Sequence, residues 1–159
     1  MEQRYLILVD EQSQEDRLKR IARSLRNEGI LLVYEEINPN ECSVRKDNGD
    51  LSLDKVALEN KLASISFLSH LDVFATDYNL VTDELKGIDM IEMLYSLQPH
   101  YRKQVVIYSA QIDEVIDDII TKRAKGFKQQ VEMLKILAQT DIHYLSGEGE
   151  FENEFKSLI

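Results

Sequence analysis

Tryptophan is absent from the 159 residues, cysteine occurs once and proline only twice. A lone cysteine, Cys42, can form no intrachain disulfide, which is the usage of a reducing compartment and makes a cytoplasmic chain the expectation. Two prolines and six glycines exclude a collagen-like or low-complexity chain. No apolar run approaches the roughly 20 residues that cross a bilayer, and the apolar stretch within Met1–Asp10 is too short for a secretion signal. His70, His100 and His143 are scattered, so no zinc-type cluster is offered. Positive charge is also scarce: Lys+Arg 19 against Asp+Glu 29 leaves a net charge of −10. Such a surface repels phosphate backbones and anionic membranes, so neither nucleic acid nor membrane is an expected direct partner. What is present is 43% hydrophobic residues, enough to fill one core, and a single domain over 1–159 is expected.

Short continuous apolar runs, each ended by a polar residue, mark strands buried on both faces. They are Tyr5–Val9, Ile30–Tyr34, Val73–Thr76, Gln104–Tyr108 and Ile142–Leu145. Between them lie helical stripes: Leu18, Ile21 and Leu25 after a Ser13/Asp16 capping box; Leu58, Leu62 and Ile65 within 52–65; Met90, Leu94 and Leu97 before Pro99. Ile112, Val115, Ile116 and Ile119 give a fourth, Val131, Leu134 and Ala138 resume the pattern, and Phe151–Ile159 forms a last short helix. Asn38–Asp50 concentrates turn formers and reads as a long exposed loop. The class is α/β: a (βα)5 doubly wound three-layer domain around a five-stranded parallel sheet.

Ligands in such sheets sit beyond the carboxyl ends of the strands. Asp10 and Glu11 follow the first strand, Asp77 the third, and Ser109 the fourth. Three carboxylates and a hydroxyl suit a hard divalent cation such as Mg²⁺. A carboxylate beside such an ion can attack a phosphoryl group while the ion neutralises its oxygens, with Ser109 donating a hydrogen bond. The plainer readings stay open. Asp10 and Glu11 also suit a polar strand end, Asp77 in Asp77-Tyr78-Asn79 a turn former, and the bases Lys122–Lys128 a solvated helix face.

The segments Leu6–Glu11 (LILVDE), Leu71–Leu80 (LDVFATDYNL), Gly87–Leu94 (GIDMIEML) and Gln104–Ala110 (QVVIYSA) together resemble the receiver domain of bacterial two-component response regulators. The resemblance implies a receiver/flavodoxin-like fold and a phosphorelay role. Asp77 becomes the phosphoacceptor, and Asp10, Glu11, Asp77 and the Asn79 backbone carbonyl become the Mg²⁺ ligands. Ser109 becomes the phosphoryl-binding switch hydroxyl and Tyr144 the candidate switch aromatic. Asp72 also fits the family pattern. The partners implied are a histidine kinase or phosphotransfer protein and a downstream protein, and a homodimer is allowed. The only catalysis implied is self-phosphorylation and autodephosphorylation at Asp77, with no separate small-molecule substrate.

Two departures accompany the likeness. Receivers carry a lysine after the fifth strand, where Gly147-Glu148 stands here, and Lys122, Lys125 and Lys128 are the candidate replacements. The segments about 38–66 and 111–140 are also longer than in the family. The alternative function is therefore a phosphorylation-inactive pseudo-receiver that serves as a protein interaction module. A phosphohydrolase of the haloacid-dehalogenase type is set aside, because Asn79 stands where its second acid belongs and Asp77 lies on the third strand. After the fifth strand about a dozen residues remain, too few for an output module, so the chain is expected either to stand alone or to be part of a longer one.

Overall fold

The computed structural model describes residues 1–47, 49, 51–82, 85–123, 126–144 and 148–159; side chains at 51, 81, 82, 112, 114, 122, 123, 142, 144 and 148–150 are likewise outside the described set. Five parallel strands form the central sheet: β1 (Glu2–Val9), β2 (Ile30–Ile37), β5 (Val73–Asp77), β8 (Gln104–Ser109) and β9 (Asp141–Tyr144). Their spatial order is β2-β1-β5-β8-β9. Counted within the sheet alone this is 2-1-3-4-5, the receiver/flavodoxin-like doubly wound order.

Strand alternation sorts the core into two layers. Leu6, Leu8, Val73, Ala75, Val106 and Tyr108 face one side, where they meet Leu18, Ile21 and Leu25 of α1 (Glu15–Asn27) and Phe151 and Phe155 of α6 (Glu148–Leu158). Ile7, Val9, Phe74, Val105 and Ile107 face the other. There they meet α2 (Lys55–Ala63), α3 (Gly87–Leu97), α4 (Ile112–Asp117) and α5 (Phe127–Gln139) through Leu58, Leu62, Ile88, Ile91, Leu94, Val115 and Met133. Both faces are covered, which is why the strands read as unbroken apolar runs.

Several local expectations are corrected. The proposed Ser13/Asp16 capping box does not form: α1 begins after Gln14, which makes no side-chain cap. Glu36 of β2 takes over, its carboxylate accepting the Gln14 backbone N–H and, at 3.3 Å, the Ser13 hydroxyl. The described residues within 38–53 include regular structure where a loop is expected. Pro39–Cys42 makes a 3-10 turn capped by Asn38, and β3 (Ser43–Arg45) pairs antiparallel with β4 (Leu51–Leu53). That hairpin shortens α2 to a start at Lys55, with Asp54 accepting the Ala57 N–H at 2.9 Å. Cys42 is buried, and the burial raises its thiol pKa. The fourth helix gives way to π-helix over Asp118–Arg123 before α5 begins. The fifth strand runs one residue earlier than expected, and Leu145 lies outside the described residues. Among the described residues no helix is long and apolar enough to cross a membrane.

Candidate functional site

Register brings the candidate acids into one row. Val9 pairs with Thr76, and Asp77 pairs with Tyr108. Asp10, Asp77 and Tyr108 therefore stand level on three adjacent strands, about 4.8 Å apart from strand to strand, on the face shared with α1 and α6. Ser109 comes one residue later, opposite Tyr144 of β9. The side chain of Tyr144 lies outside the described residues, as do Lys125 and Gly147 and the side chain of Lys122.

Asp10 is only 3% exposed and fully engaged. Its Oδ1 accepts the Gln12 N–H at 2.8 Å, and its Oδ2 accepts Gln14 Nε2 at 3.1 Å and the Tyr108 hydroxyl at 2.7 Å. Burial, with Asp10 beside it, pushes the Tyr108 phenol well above its ordinary range, so it holds its proton and donates. Asp77 is half-buried, and its carboxyl is raised to about 7. Burial is the largest cause and the Asp10 charge the next. Backbone hydrogen bonds from Asn79 and Tyr78 pull the other way, and Glu11 adds to the rise. Like charges brought together in a desolvated pocket resist ionisation, and a bound cation relieves that resistance.

The segment after Asp77 is expected as a loop to Gly87. Instead it folds into a hairpin, β6 (Asn79–Thr82) against β7 (Leu85–Lys86), with Asn79 opposite Lys86. Gly87 then starts α3 in tight quarters. A Cβ there would stand 2.5 Å from the Asp77 carbonyl oxygen, and the Gly87 N–H donates to Tyr78 O at 2.8 Å. The Lys86 ammonium lies 3.1 Å from Asn79 Oδ1 and 5.8 Å from the centre of the Tyr78 ring. The Tyr78 hydroxyl donates to Asp118 in the π-helical turn, tying the hairpin to the α4 side. Lys128, by contrast, is an exposed residue of α5.

Ser109 is buried at the end of β8, its Oγ accepting the Gln111 N–H at 3.1 Å. Asp72 has no place in this pocket. It sits at the opposite end of the sheet, accepting the Tyr5 N–H at 2.9 Å and Lys103 Nζ at 2.7 Å, where it fastens the start of β5 to β1 and to the residue before β8.

Among the described residues no three His, Cys, Asp or Glu side chains are gathered as a ready ligand shell. Mg²⁺ does not demand one, since it keeps several waters and is commonly held by one or two carboxylates. The all-oxygen donor set and the excess negative charge at Asp77 fit that ion. Sequence reasoning missed Tyr108, Gln14, Lys86 and Gly87. The only available signal was Tyr108 itself, a phenol following the aliphatic run Val105–Ile107 at the strand position that faces α1 and α6.

No family model and no curated protein matches the sequence. Among solved structures, the chain is similar to one described as the crystal structure of a response regulator receiver domain protein from Clostridium thermocellum. The identity is 14%, the match covers 98% of this chain and 99% of that one, and the TM-score is 0.39. The fold assignment rests on the strand order and register described above.

Proposed function

We propose that the 159 residues form one receiver-like phosphoacceptor domain in which Asp77 takes a phosphoryl group from a phosphohistidine of a kinase or phosphotransfer protein. The observation that carries this is the Asp77 carboxyl, raised to about 7 beside Asp10 and Glu11 at the carboxyl end of the middle strand. Such a group is costly to ionise and gains most from a cation and a phosphoryl partner. Asp10 and Asp77 would hold Mg²⁺, with Glu11 beside them and the Asn79 carbonyl completing the protein's share. The ion supplies neutralisation of the phosphoryl oxygens.

An Asp77 carboxylate oxygen forms the new P–O bond as the donor's P–N bond breaks, and the imidazole leaves with the electron pair. The Ser109 hydroxyl turns from its bond with Gln111 to donate to a phosphoryl oxygen. Ser109 and Tyr144 are paired in register on adjacent strands, so movement at Ser109 passes to the β9 edge and alters partner affinity. We assign the role of the family lysine to Lys86, which lies in the hairpin that follows Asp77 with its amine 3.1 Å from Asn79 Oδ1.

The test is thermal unfolding with Mg²⁺ and beryllium trifluoride, a mimic of the aspartyl-phosphoryl group. Wild type is expected to gain about 2.7 kcal/mol at a hundredfold excess over the dissociation constant, and Asp77→Ala nothing. Lys86→Met should weaken the beryllofluoride response about tenfold, the size of one charge-assisted hydrogen bond, and leave the response to Mg²⁺ alone intact. Lys86→Arg should keep both. Equal responses in wild type and Lys86→Met would remove Lys86 from the site.

A second reading has its own support. Both oxygens of Asp10 are already taken by protein donors, as suits a pocket closed in place of a working one. On that reading the domain is a pseudo-receiver that binds protein partners without phosphorylation. Silence of wild type toward both Mg²⁺ and beryllofluoride selects it.

A further inference from the structure

We propose that Tyr108 is a positioning residue that couples the Asp10 carboxylate to the docking of the last helix, so that the acidic pocket and α6 respond as one unit. Tyr108 rises from β8, and its hydroxyl reaches Asp10 at the end of β1, two strands away, at 2.7 Å. The bond thus crosses the level of Asp77, the middle member of the row. At its other end the ring packs edge-on against Phe151, at 5.5 Å and 73°, and against Phe155, at 6.2 Å and 80°. Those two phenylalanines lie 4.7 Å apart, and both are almost fully buried.

Two further contacts make α6 sensitive to this arrangement. Arg17 of α1 stands over the Phe151 ring at 5.3 Å, and Arg20 pairs with Glu152 at 2.7 Å. Gln14, one turn earlier on the same side, shares Oδ2 of Asp10 with Tyr108. Asp10 cannot turn toward a ligand without changing the direction in which Tyr108 is held, and Tyr108 cannot turn without disturbing the Phe151 and Phe155 rings. A buried side chain in a packed interior moves between discrete arrangements, so the displacement is passed on whole.

The coupling itself needs no metal; its extension to cation binding rests on the acceptor reading above. By reciprocity, the factor by which loosening α6 changes cation affinity at the pocket is the factor by which a bound cation changes the docking of α6. Tyr108→Phe separates the two halves, because it keeps the ring packing and deletes only the hydroxyl.

The decisive experiment is hydrogen exchange of the α6 amides in metal-free buffer, with α1 amides as internal reference, on wild type, Asp10→Ala, Tyr108→Phe and the double variant. Asp10→Ala is expected to speed α6 exchange relative to α1 about fivefold when Tyr108 is intact and to add nothing when it is introduced into Tyr108→Phe, a coupling of the size found for contacting residues. Equal effects in both backgrounds, or no effect in either, overturn the proposal. In a parallel Mg²⁺ titration Tyr108→Phe should bind about tenfold more weakly, as when a partner that orients a ligand is lost. Unchanged Mg²⁺ affinity in that variant also overturns the positioning role. A wild type that binds no Mg²⁺ sinks the acceptor reading alone and leaves the metal-free cycle to decide the coupling.

Discussion

Asp77→Asn is expected to melt higher than wild type at pH 8, with the difference vanishing below pH 4. The Asp77 carboxyl has an ordinary value of 3.8 and is raised to about 7 in the fold. Folding therefore favours the protonated form. Below the unfolded value the carboxyl is neutral in both states and costs nothing extra. As pH rises from about 4 through 7, the unfolded chain ionises freely while the folded chain resists, and stability falls. At about 1.4 kcal/mol per pKa unit the full penalty is on the order of 4 kcal/mol. Solvent access at this half-buried group, and imperfect replacement of its backbone hydrogen bonds, leave about 2–3 kcal/mol for the variant. For a chain of this size that corresponds to roughly 5–10 °C in Tm. Melting curves of both proteins from pH 4 to 8 check the result. An Asp77→Asn variant that melts lower at pH 8 would mean that burial and the Asp10 charge do not penalise the ionised carboxylate in the fold.

Gly87→Ala is expected to destabilise the protein by about 2–4 kcal/mol, although alanine is the better helix former by about 1 kcal/mol. The backbone at Gly87 is not in the left-handed region, so the penalty is steric and local. The added methyl would stand 2.5 Å from the Asp77 carbonyl oxygen and 3.1 Å from both Thr76 Cγ2 and Tyr78 Cα. Two of these three atoms are backbone and cannot swing aside. Helix α3 cannot retreat freely either, because the Gly87 N–H is bonded to Tyr78 O at 2.8 Å. Relief must come from the end of β5, which carries Asp77 itself. Chemical denaturation measures the loss, and the Mg²⁺ and beryllofluoride response should weaken with it. A variant as stable as wild type would show that the hairpin and α3 are not pinned to β5.

The two predictions share an origin. The close seating of α3 under the Asp77 carbonyl anchors the end of β5, and the row of Asp10 and Asp77 charges it. The first feature stabilises the fold, while the second opposes it until a cation or a proton arrives. Strain of this kind, held where binding would relieve it, is the common arrangement of functional sites.

The amino-acid sequence by itself determined the five strands of the central sheet, their burial on both faces and the parallel doubly wound class. Runs such as Leu6–Val9 and Val105–Ile107 are stable only as strands covered twice. It also placed Asp10, Asp77 and Ser109 at strand ends, because a polar residue closing an apolar run has nowhere else to go. Local pattern could say no more. The Ser13 cap was overruled by Glu36, a residue from another strand whose carboxylate meets the helix end only after folding. The Tyr108–Asp10 bond joins positions 98 residues apart, and no periodicity encodes it. The raised Asp77 carboxyl depends on burial and on neighbours brought level by strand register. The hairpin that carries Asn79 and Lys86 past Asp77, and the glycine that lets α3 approach it, were decided by packing against β5. Tertiary structure alone can bring such distant groups within hydrogen-bond range, where desolvation and close contact set their chemistry.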